Sequence, residues 1–248
     1  VALLLLRFCV LPRFDFLARC IAPDVVRPYA VEFDALILET VAQLLHLGDE
    51  LSSPGMAARV RLPLQRGGLG IRSIAEGLDA AFVASAVLVC GQVRRVIGGP
   101  FPAPGAQRPL QLEVAAAEAR LVARGFAEAV DWDLAAHSPS PRWQEGPASR
   151  QARERFAELL RGLPEAERPA LLSSGGVGSQ WLNVVPSEPL LEFPDEELRT
   201  AVRWRLGLPV CEPGPCLRAT HDGVCSGWRD ALGRHDSICP CGAYPTKR

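Results

Sequence analysis

Residues 73–97, SIAEGLDAAFVASAVLVCGQVRRVI, begin with Ser and Glu three apart and then run apolar on almost every side. Ser73 to Glu76 has the form of a capping box, in which hydroxyl and carboxylate reciprocally satisfy orphan N–H groups. Ile74, Leu78, Ala81, Phe82, Val83, Val87 and Val89 leave little polar face, so the spacing predicts a long helix through Val87 to Ile97 at the centre of its domain. The fold therefore reads as mainly α.

Upstream, RVRLPLQRGGLGIRS (59–73) breaks the helical period, which predicts a short extended piece near Arg61 to Leu64 and a turn at Gly67 and Gly68. A glycine loop entering a helix can cradle phosphate, but this one lacks the Lys and Ser/Thr of a P-loop and misses the Rossmann spacing. A packing turn is expected. Asp24 is placed to cap a helix running to about Leu47, with Val31, Ala35, Leu38, Val41 and Leu45 at helical spacing and Gly48 as its stop. Leu3 to Cys20 suits a helix bent or broken at Pro12.

Downstream, GGPFPAPGAQRP (98–109) has the composition of a loop or linker. A helix from about Leu110 to Val130, a polar loop at 137–149 and a charged helix from about Arg150 to Leu160 follow. SSGGVGS (173–179) reads as a flexible break, and Leu182 to Val185 as extended. Pro194, Asp195 and Glu196 suit the first turn of a last helix, ended by Gly207 and Pro209. The expected division is a helical domain at 1–99, a helical linker region at 100–175, and a smaller helical unit with a Cys/His-rich tail at 176–248.

Of 248 residues 48% are apolar, enough for a sizeable core and too many for a disordered tail. The net charge of −1 is unevenly spread: residues 151–200 sum to −4 and residues 201–248 to +3. Lys247 is the single lysine, a bias that fits a codon-skewed genome as well as a need for planar donors. The apolar start VALLLLRFCVL is shorter than the roughly 20 residues of a membrane span, and its Arg7 lies inside the apolar run, not before it as in a signal peptide. No membrane association is expected. With Met56 the sole methionine, the chain reads as part of a longer product, and the lack of a secretory signal implies a reducing compartment.

Clustered Cys and His in such a compartment favour metal over disulfide. Cys225, nine residues, His235, three residues and Cys239 name three ligands, since His and Cys four apart reach one ion from a helical turn. The usual close cysteine partner is missing, because Asp222 stands three before Cys225. Cys216 is the expected fourth ligand, with Cys211, His221 and Cys241 as rivals, and a loose tail of free thiols is the alternative. Arg203, Trp204 and Arg205 could hold phosphates and stack a base, or be a partly buried helix with snorkelling Arg stems. His46 and His137 read as structural, and no nucleophilic triad or carboxylate pair suited to metal-ion catalysis is evident.

Five segments together resemble one family: LLLLRFCVLPRFDFLARCIAP (3–23), RLPLQRGGLGIRSI (61–74), WLNVVPSEP (181–189), EELRTAVRWRLGLPVC (196–211) and LGRHDSICPCGAYPTKR (232–248). They look like the stretches downstream of the polymerase palm in non-LTR retrotransposon reverse transcriptases, in that family's order. Nothing between about 100 and 175 matches. The resemblance implies a thumb-like helical domain that grips template and primer, and a zinc knuckle matched here by Cys225, His235 and Cys239. It implies partners in RNA, an RNA–DNA hybrid and target DNA, the parent's palm and endonuclease segments, and a nuclear, intracellular setting. Magnesium would serve the parent polymerase only, since the palm's Asp-Asp motif does not occur here. Arg203, Arg205, Arg229, Arg234, Lys247 and Arg248 are the expected nucleic-acid contacts. The competing expectation is a non-enzymatic helical scaffold whose Cys-rich tail contacts protein.

Overall fold

The computed structural model describes residues 1–102, 109–188, 192–220 and 223–239. The protein is mainly α-helical, with its longest helix, α5 (Ile74–Ile97), flanked in sequence by α1 (Ala2–Leu5), α2 (Leu11–Cys20), α3 (Pro23–Leu45) and α4 (Pro54–Arg61), then α6 (Pro109–Ala123), α7 (Trp132–His137), α8 (Glu145–Gly162), α9 (Arg168–Ser173) and α10 (Asp195–Arg205). Helices α2, α3, α6 and α7 pack around α5. Its apolarity would also suit a bilayer span, but here Ile74, Leu78, Ala81, Phe82, Val83 and Val87 are all buried in protein. Val89 departs from the expectation and is half-exposed.

The N-terminus of α5 is capped by two residues. Ser73 Oγ accepts the Glu76 N–H at 3.2 Å, as the capping box requires. The return bond is absent: the Glu76 carboxylate faces Arg61 and Arg155. Buried Asp34 on α3 takes that place, accepting from Ile74 N at 2.8 Å, Ala75 N at 3.2 Å and the Ser73 hydroxyl. A carboxylate at a helix N-terminus also meets the positive end of the helix dipole. Farther along, Asp79 is 1% exposed and held by Arg27 of α3 and Arg120 of α6.

Local differences from the sequence expectations have local causes. Pro12 does not break the first helix, because a π turn at Leu6–Val10 precedes it. Leu11 N–H reaches back five residues to Leu6 O, and the widened turn accommodates the proline ring. Asp24 lies in the first turn of α3 and pairs with Arg27 and Arg120, while Ala22 is the cap. Helix α3 stops at His46, in the left-handed conformation, two residues before Gly48. Between the end of α4 at Arg61 and a 3-10 turn at Leu64–Arg66, Leu62 and Pro63 are extended as expected, while Gly176–Asn183 is a 3-10 helix and leaves only Val184 onward extended in the second such stretch.

Two apolar clusters share α5. Its first part joins α1 to α4 with Leu182, Val202, Leu206 and Leu208. From Ala80 onward it packs with Phe101, Val114, Ala117, Leu121 and Ala135. Phe101, Val114, Ala117, Leu121 and Ala135, from the region expected to be a helical linker, thus supply core against α5, which ends at Ile97. Gly91 allows the close approach of α7, since a Cβ there would lie 2.3 Å from Ala136 O. The glycine loop at 67–70 is a packing turn: Leu69 N and Gly70 N donate to Val60 O and Leu62 O, and a Cβ on Gly68 would overlap Leu62.

Candidate metal centre

After α10 the chain turns through Gly207, at φ +68°, and forms four two-residue strands that the sequence reading did not anticipate. Strand β1 (Gly214–Pro215) pairs antiparallel with β4 (Trp228–Arg229), and β2 (Ala219–Thr220) with β3 (Gly223–Val224). The bonds Cys216 N to Gly227 O and Cys225 N to Arg218 O continue the two pairings. Helix α11 (Arg234–Ile238) follows, entered through Gly233 at φ +64°, a left-handed position that suits glycine.

This arrangement converges Cys216, Cys225, His235 and Cys239, whose ligand atoms all lie within 4.8 Å of one another. Sγ of Cys239 is 3.7 Å from Sγ of Cys216 and 3.6 Å from Sγ of Cys225, and His235 Nε2 is 3.5 Å from Sγ of Cys225. A tetrahedral zinc with bonds of 2.0–2.3 Å places sulfurs about 3.8 Å apart and sulfur and nitrogen about 3.6 Å apart. A covalent disulfide would require about 2.05 Å. Three sulfurs and one imidazole nitrogen are a closed structural-zinc donor set, and the cluster is thus able to chelate a metal ion.

The hairpin explains how Cys216 serves despite its distance in sequence. Pairing sets Cys216 opposite Gly227 and Cys225 opposite Arg218, so the two cysteines are diagonal neighbours about 7–8 Å apart whatever the loop length, and both thiols reach one ion. Asp222, at the place of the expected cysteine, lies outside the described residues, as do the rivals His221 and Cys241. Cys211 turns away, its thiol donating to Asp230 O at 3.2 Å. The Arg218 backbone N–H holds the Cys216 thiol below its ordinary range, and His235, Cys239 and Cys225 act in the same direction. The Gly227 N–H donates to Cys225 Sγ at 3.3 Å.

Gly227 was not singled out from the sequence, yet it backs the imidazole: a Cβ there would lie 2.2 Å from His235 Cε1 and 2.7 Å from Nε2. Gly227→Ala must push the ring or the strand aside. Loss of a ligand's supporting partner costs roughly 10–100-fold in metal affinity, and a drop of that order is expected in competition with a chromogenic chelator, with the helical circular dichroism retained.

The proposed nucleic-acid residues are placed unequally. Arg205 is 6% exposed and donates to Leu64 O, Gly68 O and Ser174 O, so its guanidinium is structural. Arg203 grips Glu50 with two nitrogens, at 2.9 and 2.6 Å, and donates to Pro209 O. Trp204 between them is exposed. Neither arginine snorkels, because each finds acceptors on distant segments. Buried Arg59 donates to Arg205 O, and burial, with the nearby Arg205 charge, lowers its pKa to about 10. Arg229 and Arg234 flank the metal cluster on β4 and α11, both half-buried. Lys247 and Arg248 lie outside the described residues.

Comparison with protein-family models, curated proteins and solved structures gives no match to this chain.

Proposed function

We propose that this chain is the non-catalytic, nucleic-acid-binding region that follows the palm in a non-LTR retrotransposon reverse transcriptase, its tail folded around a structural zinc ion. The observation that carries the reading is the convergence of Cys216, Cys225, His235 and Cys239 in the segment where the resemblance places a Cys/His knuckle. The helices around α5 would be the thumb-like part, and the parent enzyme would be a nuclear RNA-directed DNA polymerase whose magnesium chemistry resides in its palm. Zinc would supply a cross-link between ribbon and helix. Three thiolates and the imidazole hold it, and the Gly227 and Arg218 N–H groups stabilise sulfur charge.

The test is fluorescence anisotropy of the zinc-loaded chain with labelled RNA and with an RNA–DNA hybrid across a salt series. Contacts from Arg218, Arg229 and Arg234 would give log K against log salt a slope of about −2 to −3, with binding reduced by zinc chelation. Absence of binding at low salt would favour the scaffold reading instead, which is supported by the internal engagement of Arg203 and Arg205.

A further inference from the structure

The three sulfurs of the metal centre are not equally open. Cys216 is 1% and Cys239 6% exposed, whereas Cys225 is half-buried, so an oxidant arriving from solvent meets Cys225 first. Nor are they equally able to pair with one another. Cys216 and Cys225 are diagonal across the hairpin, and the roughly 7–8 Å of that position exceeds the Cα separation of about 4.4–6.8 Å that a disulfide spans. Cys239 comes from the end of α11 and is bound by no strand register. Its Sγ lies 3.6 Å from that of Cys225 and 3.7 Å from that of the shielded Cys216. The remaining thiol among the described residues of the tail, Cys211, is engaged by Asp230 O.

We infer that Cys225 is an oxidation site with Cys239 as its resolving thiol, so that hydrogen peroxide exchanges the zinc of this centre for a Cys225–Cys239 disulfide. The inference rests on the metal centre and not on nucleic-acid binding. The Cys225 thiolate, which accepts the Gly227 N–H at 3.3 Å, is the attacking species. Its sulfur takes one peroxide oxygen, the O–O bond breaks and hydroxide leaves, giving a sulfenic acid. The Cys239 thiolate then attacks that sulfur, the S–O bond breaks, and a second hydroxide leaves as the S–S bond forms. The two sulfurs have given up two electrons and the two peroxide oxygens have received them. Cys216 and His235 remain, two donors where a closed site takes four, so the ion is released. The new bond joins the ribbon to α11 as the metal had, and a dithiol reductant returns both thiols by exchange while itself becoming a disulfide.

The experiment treats the zinc-loaded full chain with hydrogen peroxide, follows zinc with a chromogenic chelator, and reads mass and cysteine linkage by non-reducing peptide mapping. One zinc released for each two hydrogens lost is expected, with a linked peptide pair carrying Cys225 and Cys239, and recovery of thiols and metal on adding dithiothreitol and zinc. Serine at either position removes a ligand, so the informative variant is Cys211→Ser, which should keep its zinc and release it to peroxide at the wild-type rate. Protection in Cys211→Ser would overturn the proposal by making Cys211 the reacting thiol. A link from Cys239 to Cys216 or Cys241, or a sulfinic acid at Cys225 with no link, would overturn the pairing. Zinc and thiols intact after the same peroxide has fully oxidised free glutathione would overturn the exchange altogether. A chain that takes up no zinc before any treatment refutes the metal centre itself, and the exchange with it.

Discussion

Cys239→Ser is expected to abolish zinc binding and to unfold the tail while leaving the helical body intact. Cys239 is the sulfur that ties the cluster together, lying 3.7 Å from Cys216 and 3.6 Å from Cys225 at the end of α11. The structure around it has little else to hold it. Strands of two residues and a helix of five are far below the sizes that persist alone in water. Structural zinc in such small modules contributes an apparent 10–16 kcal/mol or so, and that binding energy is the folding energy. Serine keeps the volume but supplies no thiolate. Elemental analysis of the purified variant should fall from one zinc per chain to near none, and amide exchange over 211–239 should become fast. The thermal transition of the helices should move little, because their cores at α5 draw on residues no later than Leu208. A variant that keeps its zinc and its exchange protection would falsify the assignment of Cys239 as a ligand.

Arg205→Ala is expected to cost the helical body about 3–5 kcal/mol, because three buried carbonyls lose a charged donor. Arg205 links α10 to the 64–68 turn and to the end of α9 through three carbonyls. Removing it strands those acceptors away from water, at roughly 1–3 kcal/mol for each group left unsatisfied. Part of the loss is offset because Arg59 and Arg7 no longer face a like charge. In a chain of this size each kcal/mol moves the melting temperature by about 2–4 °C, so calorimetry should show a fall of about 10 °C. Arg205→Lys should recover little, since one ammonium cannot span three acceptors in the plane of a guanidinium. A fall below about 2 °C in Arg205→Ala would show that these bonds are formed at no net gain over water.

What was legible in the sequence was what neighbours along the chain decide. The hydroxyl of Ser73, the unbroken apolar run behind it, the acidic first turn of α10 and the stop at Gly207 act within one or two helical turns, so spacing alone revealed them. The same holds for His235 and Cys239, four residues apart. Cys216 was the favoured fourth ligand, but spacing left it among rivals, because a hairpin makes sequence distance irrelevant between its feet.

The sequence by itself determined a mainly helical chain built on α5 and a tail rich in metal-ligating side chains. Tertiary structure alone decided that Asp34 completes the α5 cap in place of Glu76, that Phe101, Val114, Ala117, Leu121 and Ala135 are core, and that Arg203 and Arg205 face inward. It also decided that Cys216 and Gly227 complete the metal site. Each of these depends on a partner in another element: Asp34 meets residues about 40 positions away, and Arg205 meets Gly68 137 positions away. Charge and polarity are properties of a residue, but whether an arginine meets solvent or a carbonyl is set by which segments pack beside it, and no local pattern encodes that.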